Sequence, residues 1–216
     1  RKGVLSRSGR LEILGSQTEV EKMRVFVVSA LVILSLAVAG VATAGIPNAT
    51  TSTVEREGQG VPGCDPDIAV VCPASDLGQI QVTVTVRNIY GDPLPGKVVD
   101  CWAEEVAGVF CWCPGESAQV DTSDMSGQCF FYFTDFGGCG TLQFGAQSEG
   151  VNFTPSPTID VSSPDINADC VVDLLDFIIF AGEYHGTNPC CDYNCDGTVD
   201  LLDFITFAAH YHHGCP

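Results

Sequence analysis

A chain of 216 residues with 45% apolar content can bury a core in one or two domains and still carry processing segments. Its formal net charge is −18, and the charge is unevenly placed: six of nine Lys and Arg precede residue 25, and none follows Lys97. Residues 45–216 therefore carry three basic groups against 24 acidic ones, a surface that excludes nucleic acid as a partner and attracts cations.

Residues 1–22 show no apolar periodicity and read as an upstream segment. Met23-Arg then opens an apolar run from Val25 that closes on Ala42-Thr43-Ala44, the layout of a secretory signal peptide over 23–44 with cleavage before Gly45. An uncleaved anchor over Val25–Val41 is the alternative. Cleavage makes the protein secreted and free of the membrane. Twelve cysteines fit that oxidising destination, seven between Cys64 and Cys139 and five between Cys170 and Cys215. Their pairing cannot be read from spacing. Residues 45–63, rich in Thr, Ser, Gly and charge, read as a flexible leader.

Residues 64–153 alternate as strands do. Gln79-Ile-Gln-Val-Thr-Val-Thr-Val-Arg has the period of two that a half-buried strand requires. Gly91-Asp-Pro-Leu-Pro-Gly supplies turn chemistry, and further strands are expected at 97–102, 109–113, 128–134 and 141–147. Short strands at this spacing predict an antiparallel sandwich. The stretch Val82-Thr-Val-Thr-Val-Arg-Asn-Ile-Tyr-Gly-Asp-Pro-Leu-Pro-Gly, with Thr122-Ser-Asp-Met-Ser-Gly-Gln and Gly140-Thr-Leu-Gln-Phe, resembles bacterial immunoglobulin-like domains over residues 76–150. The cysteines depart from that family, and local staples within or between neighbouring strands are the expected use. No histidine precedes His185, so a Ser-His-Asp or Cys-His arrangement cannot form here, and the protein is expected not to be an enzyme. Glu104-Glu105 reads as a solvated edge. Trp102, Trp112 and Phe130-Phe131-Tyr132-Phe133 fit core packing better than a carbohydrate-binding face.

Thr154-Pro-Ser-Pro-Thr opens a stiff linker over 154–163. Two related stretches then follow 27 residues apart, at Asp165 and at Asp192. Each places oxygen side chains at positions 1, 3, 5, 9 and 12 of a twelve-residue run, the ligand spacing of an EF-hand-type loop. The expected ligands of a first calcium ion are Asp165, Asn167, Asp169, Asp173 and Asp176 with the Val171 carbonyl. Those of a second are Asp192, Asn194, Asp196, Asp200 and Asp203 with the Thr198 carbonyl. Carboxylates gathered this closely repel one another unless a cation neutralises them, so calcium is expected to order the loops.

No helix pattern precedes either loop, and position 12 is Asp. A loop followed by a helix, twice, resembles the dockerin family over residues 164–214. That resemblance implies a small all-α calcium module, 164–216, that docks on a cohesin domain of another protein or scaffold. In dockerins, loop positions 10 and 11 contribute to the partner contact; here they are Leu174, Leu175, Leu201 and Leu202. Position 6 of the first loop is Cys170 rather than Gly, which costs on the order of 1 kcal/mol if the residue takes positive φ and makes the first site the weaker. The expected architecture is thus an all-β immunoglobulin-like sandwich followed by a separate all-α dockerin-like module. A calcium module acting only as a stabiliser of a structural or adhesive protein, and a polysaccharide-binding accessory protein, are the alternatives.

Overall fold

Strand β3 (Gln79–Thr85) has Ile80, Val82 and Val84 fully buried, while Gln79, Gln81 and Thr83 lie between them half-exposed. This is the sequence alternation turned into one wet and one dry face. In the computed structural model, which describes residues 45–59, 64, 65 and 67–216, β3 pairs antiparallel with β1 (Thr53–Gln59) and β6 (Gln128–Phe133) to form a three-stranded sheet. A six-stranded sheet runs β2 (Ile68–Val70), β9 (Thr158–Ser162), β7 (Phe136–Ser148), β4 (Val98–Trp112), β5 (Ala118–Thr122), with β8 (Val151–Asn152) on β7. Among the described strands only β2 and β9 run parallel.

The two sheets enclose one apolar core. Val82, Val84, Phe131 and Phe133 come from the first sheet, and Val99, Leu142, Phe144 and Ile159 from the second. The strands expected at 97–102 and 109–113 are a single strand, β4, that bulges between Glu105 and Ala107. The extra residue lets it follow the twist of β7 over its whole length. Phe131 and Phe133 face the core, whereas Phe130 and Tyr132 point outward, so the aromatic run divides by strand parity.

The C-terminal repeat supplies α1 (Leu174–Glu183) and α2 (Leu201–Ala209). Phe180 and Phe207 stack at 5.4 Å and join Val172, Tyr193, Val199, Cys191, Val70 and Cys72 in a second core.

The expected division into a sandwich (64–153), a linker (154–163) and a separate all-α dockerin-like module (164–216) is corrected here. The described residues hold nine strands and only two short helices, and no all-α module stands apart from the sheets. Residues Ile46–Pro216 form one unit. The physical reasons are local. Ile159 and Val161, in the expected linker, alternate with Thr158 and Asp160 and insert as β9 between β2 and β7. Val70 and Cys72 pack under the helices, so the second core is incomplete without β2. Thr53–Gln59, expected in the flexible leader, is β1. The expected upstream segment and signal peptide, 1–44, lie outside the described residues.

The disulfides also depart from expectation. None is a local staple. Cys64–Cys195, Cys111–Cys170, Cys113–Cys215 and Cys139–Cys190 each join the sheet-forming part of the chain to the repeat, with Cα separations of 4.9–5.6 Å. Cys72, Cys101, Cys129 and Cys191 are buried and unpaired.

Candidate metal centre

Loop 1 leaves β9 directly, with Asp165 three residues beyond Ser162. Asp165 is wholly buried; its Oδ1 accepts the Asp169 N–H (3.1 Å) and its Oδ2 the Cys170 N–H (3.0 Å). Asn167 Oδ1 accepts the Asp169 N–H at 2.9 Å, and Asp169 Oδ1 accepts the Val171 N–H at 3.1 Å. Asp176, also buried, closes the loop by accepting the Asn167 N–H (3.0 Å) and the Asp173 N–H (2.8 Å). Each carboxylate is aimed by the backbone it folds around. Carboxylate oxygens of Asp165, Asp169 and Asp176 consequently gather within 4.8 Å of one another.

Loop 2 repeats the network 27 positions on. Asp192 accepts from Asp196 (3.2 Å) and Gly197 (2.8 Å), Asn194 from Asp196 (3.0 Å), and Asp196 from Thr198 (3.0 Å). Asp203 accepts from Asn194 (3.1 Å), Asp200 (2.8 Å) and also Tyr193 (2.7 Å). The backbone repeats too: Ala168 and Cys195 at position 4, Cys170 and Gly197 at position 6, and His185 and His212 beyond the helices all take positive φ. At Cys170, φ +72° is the left-handed conformation that Gly adopts freely, and this residue is also disulfide-bonded to Cys111.

Asp173 and Asp200 at position 9 are N-caps. Each accepts the N–H two residues on (Leu175, 2.6 Å; Leu202, 2.7 Å) and forms a capping box with Asp176 or Asp203. They anchor the helices, which leaves their remaining oxygens for a cation or a bridging water, as is common at position 9. Val171, at position 7, bridges to Gly214; both Val171 and its counterpart Thr198 are exposed. The position-8 valines do not pair with each other. Val172 bonds to His212 and His213 after α2, and Val199 to His185 and Gly186 after α1, so each loop is pinned by the exit of the other helix.

The electrostatics match a cation site. Burial first, and then the charge of Asp176, push Asp165 up to about 6, and burial raises Asp176 and Asp203. All donors are hard oxygens, the set calcium takes. Leu174, Leu175, Leu201 and Leu202 all stand more than half exposed, and the exposed Ile178 and Ile205 extend the same faces.

The sequence reading missed Gly137. A Cβ there would overlap the Asp165 carboxyl, and the Gly138 N–H donates to the Asp165 carbonyl at 2.8 Å. The available signal was Gly137-Gly-Cys-Gly inside a strand, a mark of close backbone approach. No protein-family model matches this chain, and no curated protein matches it significantly. Among the described residues no helix is long and apolar enough to cross a membrane.

Proposed function

We propose that this is a secreted, non-catalytic binding protein that holds two calcium ions, one per loop, and docks through its leucine faces on a cohesin-like protein partner. The observation that supports the reading is the duplicated set of backbone-to-carboxylate bonds, with the same residue types in the same order in each loop. A calcium ion at each centre would take the carboxylates of positions 1, 5 and 12, relieve their repulsion, and fix the direction of the helix in whose first turn position 12 lies. Leu174, Leu175 and Ile178 on one helix correspond to Leu201, Leu202 and Ile205 on the other, so the docking surface would have two nearly equivalent halves.

The test is calorimetric titration of the whole mature chain with calcium, because the second core draws on Val70 and Cys72 and a fragment starting at the repeat would lack them. Two binding events are expected, with Asp165→Ala and Asp192→Ala each removing one. A titration without heat or structural response sinks the reading. Capture by an immobilised cohesin domain should then be abolished by EDTA.

One observation favours a second reading, in which calcium only stabilises a structural or adhesive protein. All four disulfides already fasten the repeat to the sheets. Calcium binding without any EDTA-sensitive protein partner would select it.

A further inference from the structure

Two of the chain's four histidines meet an unpaired cysteine from its other end. His210 caps the C-terminus of α2, His213 lies one turn on, and Cys72 follows β2. One ligand atom of each, the Cys72 Sγ and a ring nitrogen of each histidine, lies within 4.8 Å of the other two. We propose that Cys72, His210 and His213 form a binding site for a zinc-class divalent ion, separate from the two calcium loops and different in chemistry.

Distance carries the argument. His210 Nδ1 and His213 Nδ1 are 3.2 Å apart. Two nitrogens bound tetrahedrally to one zinc at its usual bond length are about 3.3 Å apart, and a nitrogen and a thiolate sulfur about 3.6 Å. The histidine pair already has the ligand spacing, and a thiol within 4.8 Å of the ring nitrogens needs to close by about 1.2 Å at most. Without an ion, two facing Nδ1 atoms repel unless a proton sits between them.

The histidines are also held in place. The His213 N–H donates to the His210 carbonyl (3.0 Å), Val172 brackets the turn through His212 N–H (2.8 Å) and the His213 carbonyl (2.8 Å), and Cys215 is tied to Cys113. The backbone is left-handed at His212 (φ +71°), within the turn that brings the His210 and His213 rings together, centroids 5.1 Å apart.

The surroundings favour a cation. Carboxylates of Asp165, Asp176 and Asp135 act on Cys72, and that of Asp76 acts on His210. A thiolate with two imidazoles is a soft and borderline donor set that selects zinc over calcium. Binding would release one proton, that of the thiol. Any Nδ1 proton moves to the ring's own Nε2, and a fourth position is left for water.

The experiment is titration of the full, disulfide-intact chain with cobalt(II) in excess calcium, followed by displacement with zinc. One equivalent of cobalt should give a thiolate-to-cobalt charge-transfer band, and zinc should abolish it with uptake of no further equivalents. Cys72→Ala should remove the band, although Cys101, Cys129 and Cys191 remain. His210→Ala and His213→Ala should each weaken binding by more than about tenfold. Near-UV circular dichroism identifies variants that keep the fold, and both histidines are half-exposed whereas Cys72 is buried. No band in the unaltered chain, or a band that survives Cys72→Ala, overturns the proposal. So does an affinity that His213→Ala leaves unchanged in a folded protein.

Discussion

Gly137 sits where β7 passes the first loop, and its missing side chain makes room for the Asp165 carboxyl. Gly137→Ala should therefore act as overpacking at that contact, destabilising the chain by about 1–3 kcal/mol and weakening calcium at the first loop while sparing the second. Thermal unfolding and calorimetry would separate the two effects. Asp165 itself sets a pH dependence, because burial and the Asp176 charge raise it from its ordinary 3.8 to about 6. In the calcium-free chain the folded state holds that proton more tightly than the unfolded state. The resulting stabilisation is complete below the ordinary value and is lost as pH rises through about 6. Calcium takes only the carboxylate form, so its affinity should fall as pH drops below about 6. Unfolding midpoints measured across this range with EDTA and with calcium should slope in opposite directions. The two matching loops were legible in the sequence because side-chain oxygens recur at the same local spacing in both copies. Gly137 was not, because its role is a contact with a residue 28 positions away.

Each helix buries only the aspartate at loop position 12 and one phenylalanine four residues later, Asp176 with Phe180 and Asp203 with Phe207. That narrow stripe leaves the leucines outside any core. Leu174→Ser combined with Leu201→Ser should change unfolding free energy by no more than about 0.5 kcal/mol per site, as surface changes do, yet abolish capture by a cohesin-like partner. Capture at undiminished strength would remove the leucines from the docking surface. Strand β9 behaves oppositely. Ile159 is 1% exposed within the core between the sheets, so Ile159→Ala should cost about 2–5 kcal/mol, readable as a lowered denaturation midpoint. A linker residue would cost almost nothing. The sequence carried a faint signal for β9, since Thr158-Ile-Asp-Val-Ser alternates at period two. The prolines at 155, 157 and 164 masked it, although a strand can run between prolines when they lie outside its paired residues.

At the scale of the whole molecule, four covalent links span 51 to 131 residues of chain. Loops of that length limit the freedom of the unfolded chain by on the order of 4–5 kcal/mol for one link taken alone. The oxidised protein should therefore keep its near-UV circular dichroism when EDTA strips calcium, whereas the reduced protein should lose it. Equal loss in both states would show that the links do not share the stabilising role. Cysteine count and charge distribution were readable from the sequence, and so was the duplication. Pairing was not, because it depends on where β9 and β2 deliver the repeat, and local spacing is silent about that. The links also define a path for mechanical load. A pull applied at the helices by an anchored partner would pass through Cys170, Cys190, Cys195 and Cys215 into β4, β7 and the segments beside β2 and β4. Tension could not peel the repeat from the sheets without breaking sulfur–sulfur bonds. The weakest point of such a tether would lie at the non-covalent contact with the partner, outside this chain.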